Sequence, residues 1–285
     1  MTVSTIDPAA LAFGLILFSA MLHAVYNAFL KAAGDKLIAR MLMALASTVY
    51  LAPVVFFIPL PTPSLFALLG FTAFVHFAYQ MSQIASLHHG DYTLAYPVAR
   101  GSAPLVTAMA APLVLGDVVN DWQMAGIALV SIAILSMALS GRGGNARGLF
   151  FAVLTGLFIA AYTLIDAKGV RMAANPATFI IWFFIFDSFV ISTYTVIFHR
   201  HRLVNGFARE IGRAALNGVL GIGTFGAALL AFRFGSAPVM AALRETSVLF
   251  AALIGFAFLG ERLPALRMLA IAGILAGVVI IRLAP

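Results

Sequence analysis

Two arginines occupy matching positions in two long apolar segments of the sequence. Arg100 lies within YPVARGSAP and Arg244 within AALRETSVLFAALIGF. A permanently charged side chain is costly in hydrocarbon, so it normally faces a wet cavity or an opposite charge. The five donors of a guanidinium suit a carboxylate or a phosphonate. The sequence therefore predicts that one or both arginines bind a substrate anion. The alternative is a structural ion pair, for instance with Glu245 or Asp187.

Polar and aromatic side chains recur at helical spacing in other apolar segments. Residues three or four positions apart share one face of a helix, so each stripe should point into a helix bundle. Such a lining can stack on a flat apolar group and hydrogen-bond a polar head group. Together they predict a shared substrate-binding cavity, although for any single residue an interhelical hydrogen bond explains its position as well. The residues are His23, Tyr26, Asn27, His76, Tyr79, Gln80, Gln83, Tyr96, Tyr162 and Trp182.

Three carboxylates accompany these stripes. Asp187 lies in the middle of the apolar segment IWFFIFDSFV, Glu245 follows Arg244 directly, and Asp166 lies near the end of another apolar segment. A carboxylate in such a place can bind a substrate ammonium, carry a coupled proton or pair with an arginine. The sequence leaves these three roles open for each of them.

The segment around Arg100 also contains residues that disturb a helix. A proline removes one backbone hydrogen bond and leaves a carbonyl free, which membrane proteins tolerate only beside protein or water. Pro97, Gly101 and Pro104 are therefore candidates for a hinge beside the cavity. A static kink is the alternative.

Composition defines the class of protein. Of the 285 residues, 63% are hydrophobic and 9% are charged, whereas a soluble domain averages about 25% charged residues. This predicts an all-α polytopic membrane protein. The absence of cysteine excludes disulfides, iron–sulfur clusters and zinc–thiolate sites. No nucleotide-binding motif is present, so we expect no ATP drive within this chain. We likewise expect no cofactor and no metal site. The net positive charge does not indicate a nucleic-acid partner, because basic loop residues of membrane proteins set their orientation.

Division at prolines, glycines and charge clusters gives ten candidate spans of about 20 residues. The longest polar connection that this division leaves is HRHRLVNGFAREIGR, from His199 to Arg213. The spans are approximately Pro8–Leu30, Ile38–Ile58, Ser64–Leu87, Tyr92–Leu115, Trp122–Leu139, Gly148–Ala167, Pro176–Phe198, Ala215–Phe234, Pro238–Leu259 and Leu263–Leu283.

The two halves of the sequence, 1–141 and 142–285, resemble each other weakly but in a consistent order. Ala95–Leu139 aligns with Val239–Leu283 without a gap, which places Arg100 opposite Arg244 and the LGD at 115–117 opposite the LGE at 259–261. Because five spans is an odd number, the second copy must cross the membrane in the opposite sense. This predicts two inverted five-helix repeats in one membrane domain, with the substrate site at the repeat interface.

Ten spans, the internal repeat and the LGD and LGE motifs together resemble the EamA-type transporters of the drug/metabolite transporter superfamily. The resemblance covers nearly the whole chain and includes bacterial exporters of aromatic amino acids. It implies a ten-helix bundle around a central cavity and transport rather than catalysis. It fixes neither substrate nor direction, because the superfamily contains exporters, importers and exchangers.

A cavity with both signs of charge beside aromatic rings suits a zwitterion. We therefore expect a secondary transporter of the bacterial inner membrane, most simply an amino-acid exporter that works by alternating access. Import or exchange of an organic anion is the main alternative, and a lipid-modifying enzyme and a channel are weaker ones. A monomer is the simpler assembly, although glycine pairs leave a dimer open. The distribution of basic residues places both termini outside the cytoplasm, whereas the resemblance implies cytoplasmic termini.

Overall fold

The computed structural model of the protein describes residues 7–89, 92–140, 145–259 and 264–284, and this part of the chain is helical without strands. Short 3₁₀ helices, Ala52–Phe57 and Met137–Ser140, extend the second and fifth helices. The α-helices are α1 (Pro8–Lys31), α2 (Lys36–Leu51), α3 (Pro63–His89), α4 (Tyr92–Val114), α5 (Asp121–Ser136), α6 (Ala146–Met172), α7 (Pro176–Phe234), α8 (Ala237–Arg244), α9 (Ser247–Leu259) and α10 (Ala265–Leu283).

Short polar side chains set where many of the helices begin. The carboxylate of Asp7 accepts from the first backbone N–H groups of α1, and Asp35 does the same for α2. Asn120, Asn145 and Asn175 cap α5, α6 and α7 in the same way. Each cap satisfies donors that have no partner within the helix, which matters most where little water is available.

Nine helical stretches in the described part of the chain are long and apolar enough to cross a membrane. They confirm a polytopic membrane protein. The predicted fourth span is not among the nine: its helix, α4, has 23 residues, but Arg100 and three internal prolines reduce its mean hydropathy. The tenth span and the inverted arrangement of the two halves therefore remain predictions.

The predicted seventh and eighth spans correspond to two helical stretches, Pro176–Val204 and Gly206–Phe234. Both lie within α7 and meet across a kink at His199, where φ is −135° and ψ is 25°, so residues 199–213 join the two spans and are themselves helical. The segment contains four arginines, which favour a helix, and no proline, so it can be helical despite its polarity. Its polarity marks the change from one span to the next, and this connection is helical rather than irregular.

We call the end of the bundle that carries the kink and the α1–α2 connection the kink end. At this end, Arg202 on α7 forms an ion pair with Asp35, at 2.7 Å between Nε and Oδ2. The backbone N–H of Gly34 donates to Glu210 of α7 at 2.9 Å. We call the opposite end, where α1 begins and α6 ends, the terminal end.

The part of α7 that follows the kink packs against α1 and α2 in the first half of the chain. Ser19 donates to the backbone carbonyl of Thr224 at 2.6 Å, and Thr224 donates to that of Ser19 at 2.8 Å. Ser47 of α2 donates to the carbonyl of Gly218 at 3.0 Å. These buried hydrogen bonds fix the two halves against each other along one wall of the bundle.

Close backbone contacts hold α4 between α5 and α6. A Cβ atom at Gly101 would lie 2.7 Å from Leu135 Cγ of α5, and one at Gly156 of α6 would collide with Ser102. Pro97 and Pro104 lie inside the continuous helix α4. Gly101 thus allows close packing, and a hinge role for these three residues of α4 stays a prediction.

Close glycine contact also joins α5 to α10. A Cβ atom at Gly277 would lie 2.6 Å from Val130 Cγ2 and 2.8 Å from the backbone oxygen of Gly126. We expect Gly277→Ala to destabilise the protein by about 1–3 kcal/mol, because the backbone atom has no room to move aside. Thermal unfolding of the detergent-solubilised protein measures this. The matched control is Gly14→Ala, since a Cβ atom at Gly14 meets nothing within 4 Å. Equal melting temperatures for the two variants would contradict the expectation.

Candidate functional site

A cavity with an open mouth lies among α1, α2, α3, α6, α7 and α8. It brings together nine of the residues that the sequence predicted for substrate binding or coupling. These nine are His23, Tyr26, Asn27, His76, Tyr79, Gln80, Tyr162, Asp187 and Arg244. The remaining lining residues are Arg40, Met43, Ala44, Ser47, Phe183, Phe184, Ile191, Gly221, Thr224 and Phe225.

The cavity lies between the middle of the bundle and the kink end. Its lining comes from the second half of α1, the middle of α2 and both sides of the α7 kink. Towards the terminal end, the interior is filled by an apolar cluster that includes Ile16, Leu69, Phe179 and Phe232. The cavity is therefore closed at that end by packed side chains.

Arg244, the last residue of α8, is the main cation of the cavity. It is 5% exposed, and its guanidinium carbon lies 4.7 Å from the centre of the Phe225 ring. Its Nε has no hydrogen-bond partner, and among the described residues no carboxylate lies within ion-pair distance of it. A buried guanidinium held by an aromatic ring alone retains its capacity to bind an anion.

Asp187 supplies a negative charge to the same cavity. Its Oδ1 accepts one hydrogen bond, from Gln80 Nε2 at 3.3 Å, and it forms no ion pair with a described residue. The Oε1 atom of Gln80 and the Nδ1 atom of His23 are buried without partners. The cavity thus presents a free cation, a lightly bonded carboxylate and further unpaired polar atoms.

Arg40 is a lining residue that the sequence analysis missed. It was counted among the basic residues that set orientation, although it lies at the third residue of the predicted second span. Its guanidinium donates to Gln83 Oε1 at 2.7 Å and lies 5.9 Å from the centre of the Tyr79 ring. Gln83, predicted as a substrate contact, therefore holds Arg40 and is not itself part of the lining.

His76 and Asp166 form a buried pair behind the cavity surface. Nε2 of His76 lies 2.9 Å from Oδ2 of Asp166, and Thr72 donates to the other carboxylate oxygen. Tyr162 stacks on the imidazole with ring centres 4.1 Å apart. Of these four residues, His76 and Tyr162 line the cavity, whereas Thr72 and Asp166 do not.

Arg100 lies outside the cavity lining, in contact with α8 and α9. Its Nε is 3.0 Å from Oε2 of Glu245, and one of its terminal nitrogens donates to Ser247 at 3.0 Å. The Nε–Oε2 contact is an ion pair by distance but lacks the alignment of a hydrogen bond. This is the structural pair that the sequence left open as the alternative to substrate binding. The substrate role of Arg100 stays a prediction.

Two predicted aromatic residues also lie outside the lining. Trp182 packs on Phe66 at 5.8 Å between ring centres and on Phe186 at 6.4 Å, and its indole nitrogen is buried without a partner. Tyr96 lies one helical turn before Arg100 on α4 and is half-buried. The predicted contacts of Trp182 and Tyr96 with a substrate stay predictions.

An ion pair joins four elements at the terminal end. Arg171 of α6 holds the carboxylate of Asp117 through two hydrogen bonds of 2.8 Å and donates to the backbone carbonyls of Phe232 and Gly235. Asp117 also accepts from the backbone N–H of Ala237, which begins α8, at 2.7 Å. Asp117 is thus engaged by protein groups. No cluster of three or more potential metal ligands occurs within the described ranges.

Comparison with known proteins agrees with this architecture. Among solved structures, 29 chains match, and one crystal structure superposes with a TM-score of 0.71, covering 98% of this chain and 99% of that chain at 18% identity. At that identity the likeness shows the fold alone. No curated protein matches the sequence. Residues 146–283, just under half of the chain, match the model of the EamA-like transporter family. The second half of the chain is therefore similar to the EamA-like transporter family, a family of membrane transporters of small solutes.

Proposed function

We propose that the protein is a secondary transporter of small zwitterionic metabolites, in the first place amino acids, and that the central cavity is its substrate site. The observation that carries the proposal is the presence of opposite charges, on Arg244 and Asp187, in one cavity. Within the described ranges Arg244 has no carboxylate partner, and Asp187 accepts one long hydrogen bond. A substrate carboxylate would bind Arg244, and a substrate ammonium would bind Asp187. Burial strengthens both contacts, since little water competes for them.

The formal charges around the cavity support a neutral ligand. Arg40, Arg244 and Asp187 line it, and Arg100, Asp166 and Glu245 lie directly behind it. With both lining histidines neutral, these three cations and three anions cancel. A zwitterion leaves that balance unchanged, whereas a net charge would have to be buried without compensation.

The rest of the lining suits an apolar or aromatic side chain. Tyr26, Tyr79, Tyr162, Phe183 and Phe225 contribute rings from four helices, and Phe183 stacks on Phe225 at 5.3 Å between ring centres. An aromatic side chain of a substrate could stack on these rings. Each stacked ring pair contributes about 0.5–1.5 kcal/mol to the binding free energy beyond the burial of apolar area. Aromatic amino acids are therefore the first substrates to test.

The sequence pattern allows Arg100, Arg244 or both to bind the anion, and the geometry favours Arg244. Arg100 is already paired with Glu245, so binding a substrate there would require that pair to open. Arg244 needs no such exchange. The two residues align between the halves, so one of the pair would serve structure and the other would serve substrate.

A counterflow screen in liposomes tests the proposal. Radiolabelled L-phenylalanine is presented to liposomes loaded with unlabelled amino acids or with organic anions. We expect saturable accumulation against amino acids, and a loss of at least about tenfold in Asp187→Asn, because the ammonium would lose a charged hydrogen-bond partner. Asp121→Asn, an exposed carboxylate at the start of α5, is the matched control and should transport normally. Normal transport by Asp187→Asn would remove Asp187 from the site.

Import or exchange of an organic anion is the second candidate. The residues that line the cavity directly carry two guanidinium groups and one carboxylate, which favours an anion if the charges behind them are screened. In that case counterflow would respond to anions and would not depend on Asp187. Flux that does not saturate would instead indicate a channel.

We further propose alternating access of the two halves around the cavity, and export across a bacterial inner membrane. The hydrogen bonds between α1 and α7 join the halves, and the cavity lies between them. Uptake into empty vesicles compared with efflux from loaded vesicles determines the preferred direction.

A further inference from the structure

The His76–Asp166 pair has the features of a proton-binding site. Asp166 is 1% exposed and His76 is 4% exposed, and the two are 2.9 Å apart. Thr72 donates to Asp166, which favours the ionised carboxylate as an acceptor. Nε2 of the neutral imidazole then carries the hydrogen towards Asp166. An added proton would sit on Nδ1, and the resulting imidazolium would remain paired with the carboxylate.

The surroundings of His76 link its charge to the substrate site. On its own helix, α3, Gln80 lies one turn away and holds Asp187 of α7. Tyr162 and Asp166 face it from α6, and the Phe225 ring of α7 separates it from Arg244 of α8. His23 and Arg40 line the same cavity from α1 and α2. A proton on His76 would therefore add a positive charge beside the place where Asp187 would receive an ammonium.

We propose that His76 and Asp166 bind the coupling proton and that proton and substrate compete for the cavity, which makes the protein a proton antiporter. The proposal rests on the proposed function of the cavity. In the proton-loaded form the imidazolium would repel the substrate ammonium. When substrate binds, His76 would release one proton to water. Because coupling between two ligands is reciprocal, lowering the pH must weaken substrate binding by the same factor.

Proton release on substrate binding tests the proposal. L-Phenylalanine is added to the purified full-length protein in detergent, in weak buffer at about pH 6.5, with a pH indicator to count protons. Because each bound substrate molecule would displace the proton from the pair, release of up to about one proton per site is expected. The affinity measured by calorimetry should fall up to about tenfold per pH unit on the acid side.

His76→Gln is the decisive variant, because its amide can still donate to Asp166 and so avoid leaving that carboxylate unpaired. It should bind L-phenylalanine without releasing protons and with an affinity that does not vary with pH. His88→Gln, which removes an exposed histidine at the end of α3, should behave as the unaltered protein does. Proton release that persists in His76→Gln, or binding by the unaltered protein without release, would overturn the proposal.

A second measurement separates this proposal from the proposed function. Nuclear magnetic resonance of the protein with labelled histidine, with His76→Gln to identify the signal, follows the protonation of His76 without any ligand. A titration between pH 5 and 8 that changes in Asp166→Asn supports the proton site. A His76 signal that keeps one charge state throughout that range overturns it. Failure of L-phenylalanine to bind at any pH would overturn the amino-acid substrate instead.

Discussion

Arg244→Met is expected to reduce amino-acid counterflow by about 10- to 100-fold without destabilising the folded protein. A charge-assisted hydrogen bond to a substrate carboxylate contributes about 1.5–3 kcal/mol, which corresponds to that range. Stability should be kept because Arg244 has no carboxylate partner that its removal would leave unpaired. Methionine also fills a similar space beside Phe225. Counterflow and thermal unfolding of the same preparation measure the two quantities.

Arg100→Met is the matched comparison on α4. Loss of the Arg100 guanidinium would leave Glu245 buried as a lone charge, and breaking a buried ion pair in this way costs about 3–5 kcal/mol of folding stability. We therefore expect a clearly lower melting temperature for Arg100→Met than for Arg244→Met. The assignment of the two arginines would be wrong if Arg244→Met transported normally while Arg100→Met remained stable and lost transport.

Asp117→Asn is expected to loosen the terminal end of the bundle. The substitution keeps the size of the side chain but removes the charge that holds Arg171 and the first N–H of α8. Charged hydrogen bonds of this kind contribute about 1.5–3 kcal/mol, so transient opening of this end should become roughly 10- to 100-fold more frequent. The pair links the connection after α4 to α6, α7 and α8, and therefore joins the two halves of the chain.

Chemical labelling can measure this opening, because the chain contains no cysteine to react in the background. Ala242 is fully buried in the apolar cluster that closes the terminal end, so Ala242→Cys reports access to that cluster. It should react slowly with a water-soluble maleimide, and faster when combined with Asp117→Asn. Asp35→Asn breaks an ion pair at the kink end and should leave the labelling rate unchanged. Equal labelling rates in Ala242→Cys alone, in Ala242→Cys with Asp117→Asn and in Ala242→Cys with Asp35→Asn would show that Asp117 does not hold the terminal end closed.

Local pattern predicted the helices and much of the cavity lining. The spacing of His23 with Asn27 and of His76 with Gln80 placed each pair on one helix face, and the structure brings all four to the same cavity. Pattern predicted where the seventh and eighth spans meet but not the form of the connection. The polar segment 199–213 joins the two spans, and it is helical beyond the kink at His199.

Pairing between distant helices could not be predicted from the sequence alone. Asp166 and His76 are 90 positions apart and belong to separate stripes, and only packing of α3 against α6 brings them together. The choice between substrate and ion pair for Arg100 likewise depended on where Glu245 points. Arg40 was missed because a basic residue near the start of a span has a common explanation in membrane orientation.

The balance of charges around the cavity has a consequence for energetics. In the proposed transport cycle, the three guanidinium groups and three carboxylates cancel when His76 is neutral and a zwitterion occupies the site, so reorientation of the loaded carrier would move no net charge. The proton-loaded carrier would move one positive charge on its return. A membrane voltage contributes about 2.3 kcal/mol per elementary charge for each 100 mV. The membrane voltage should therefore change the rate of the return step, whereas the rate of the substrate-bearing step should not depend on voltage.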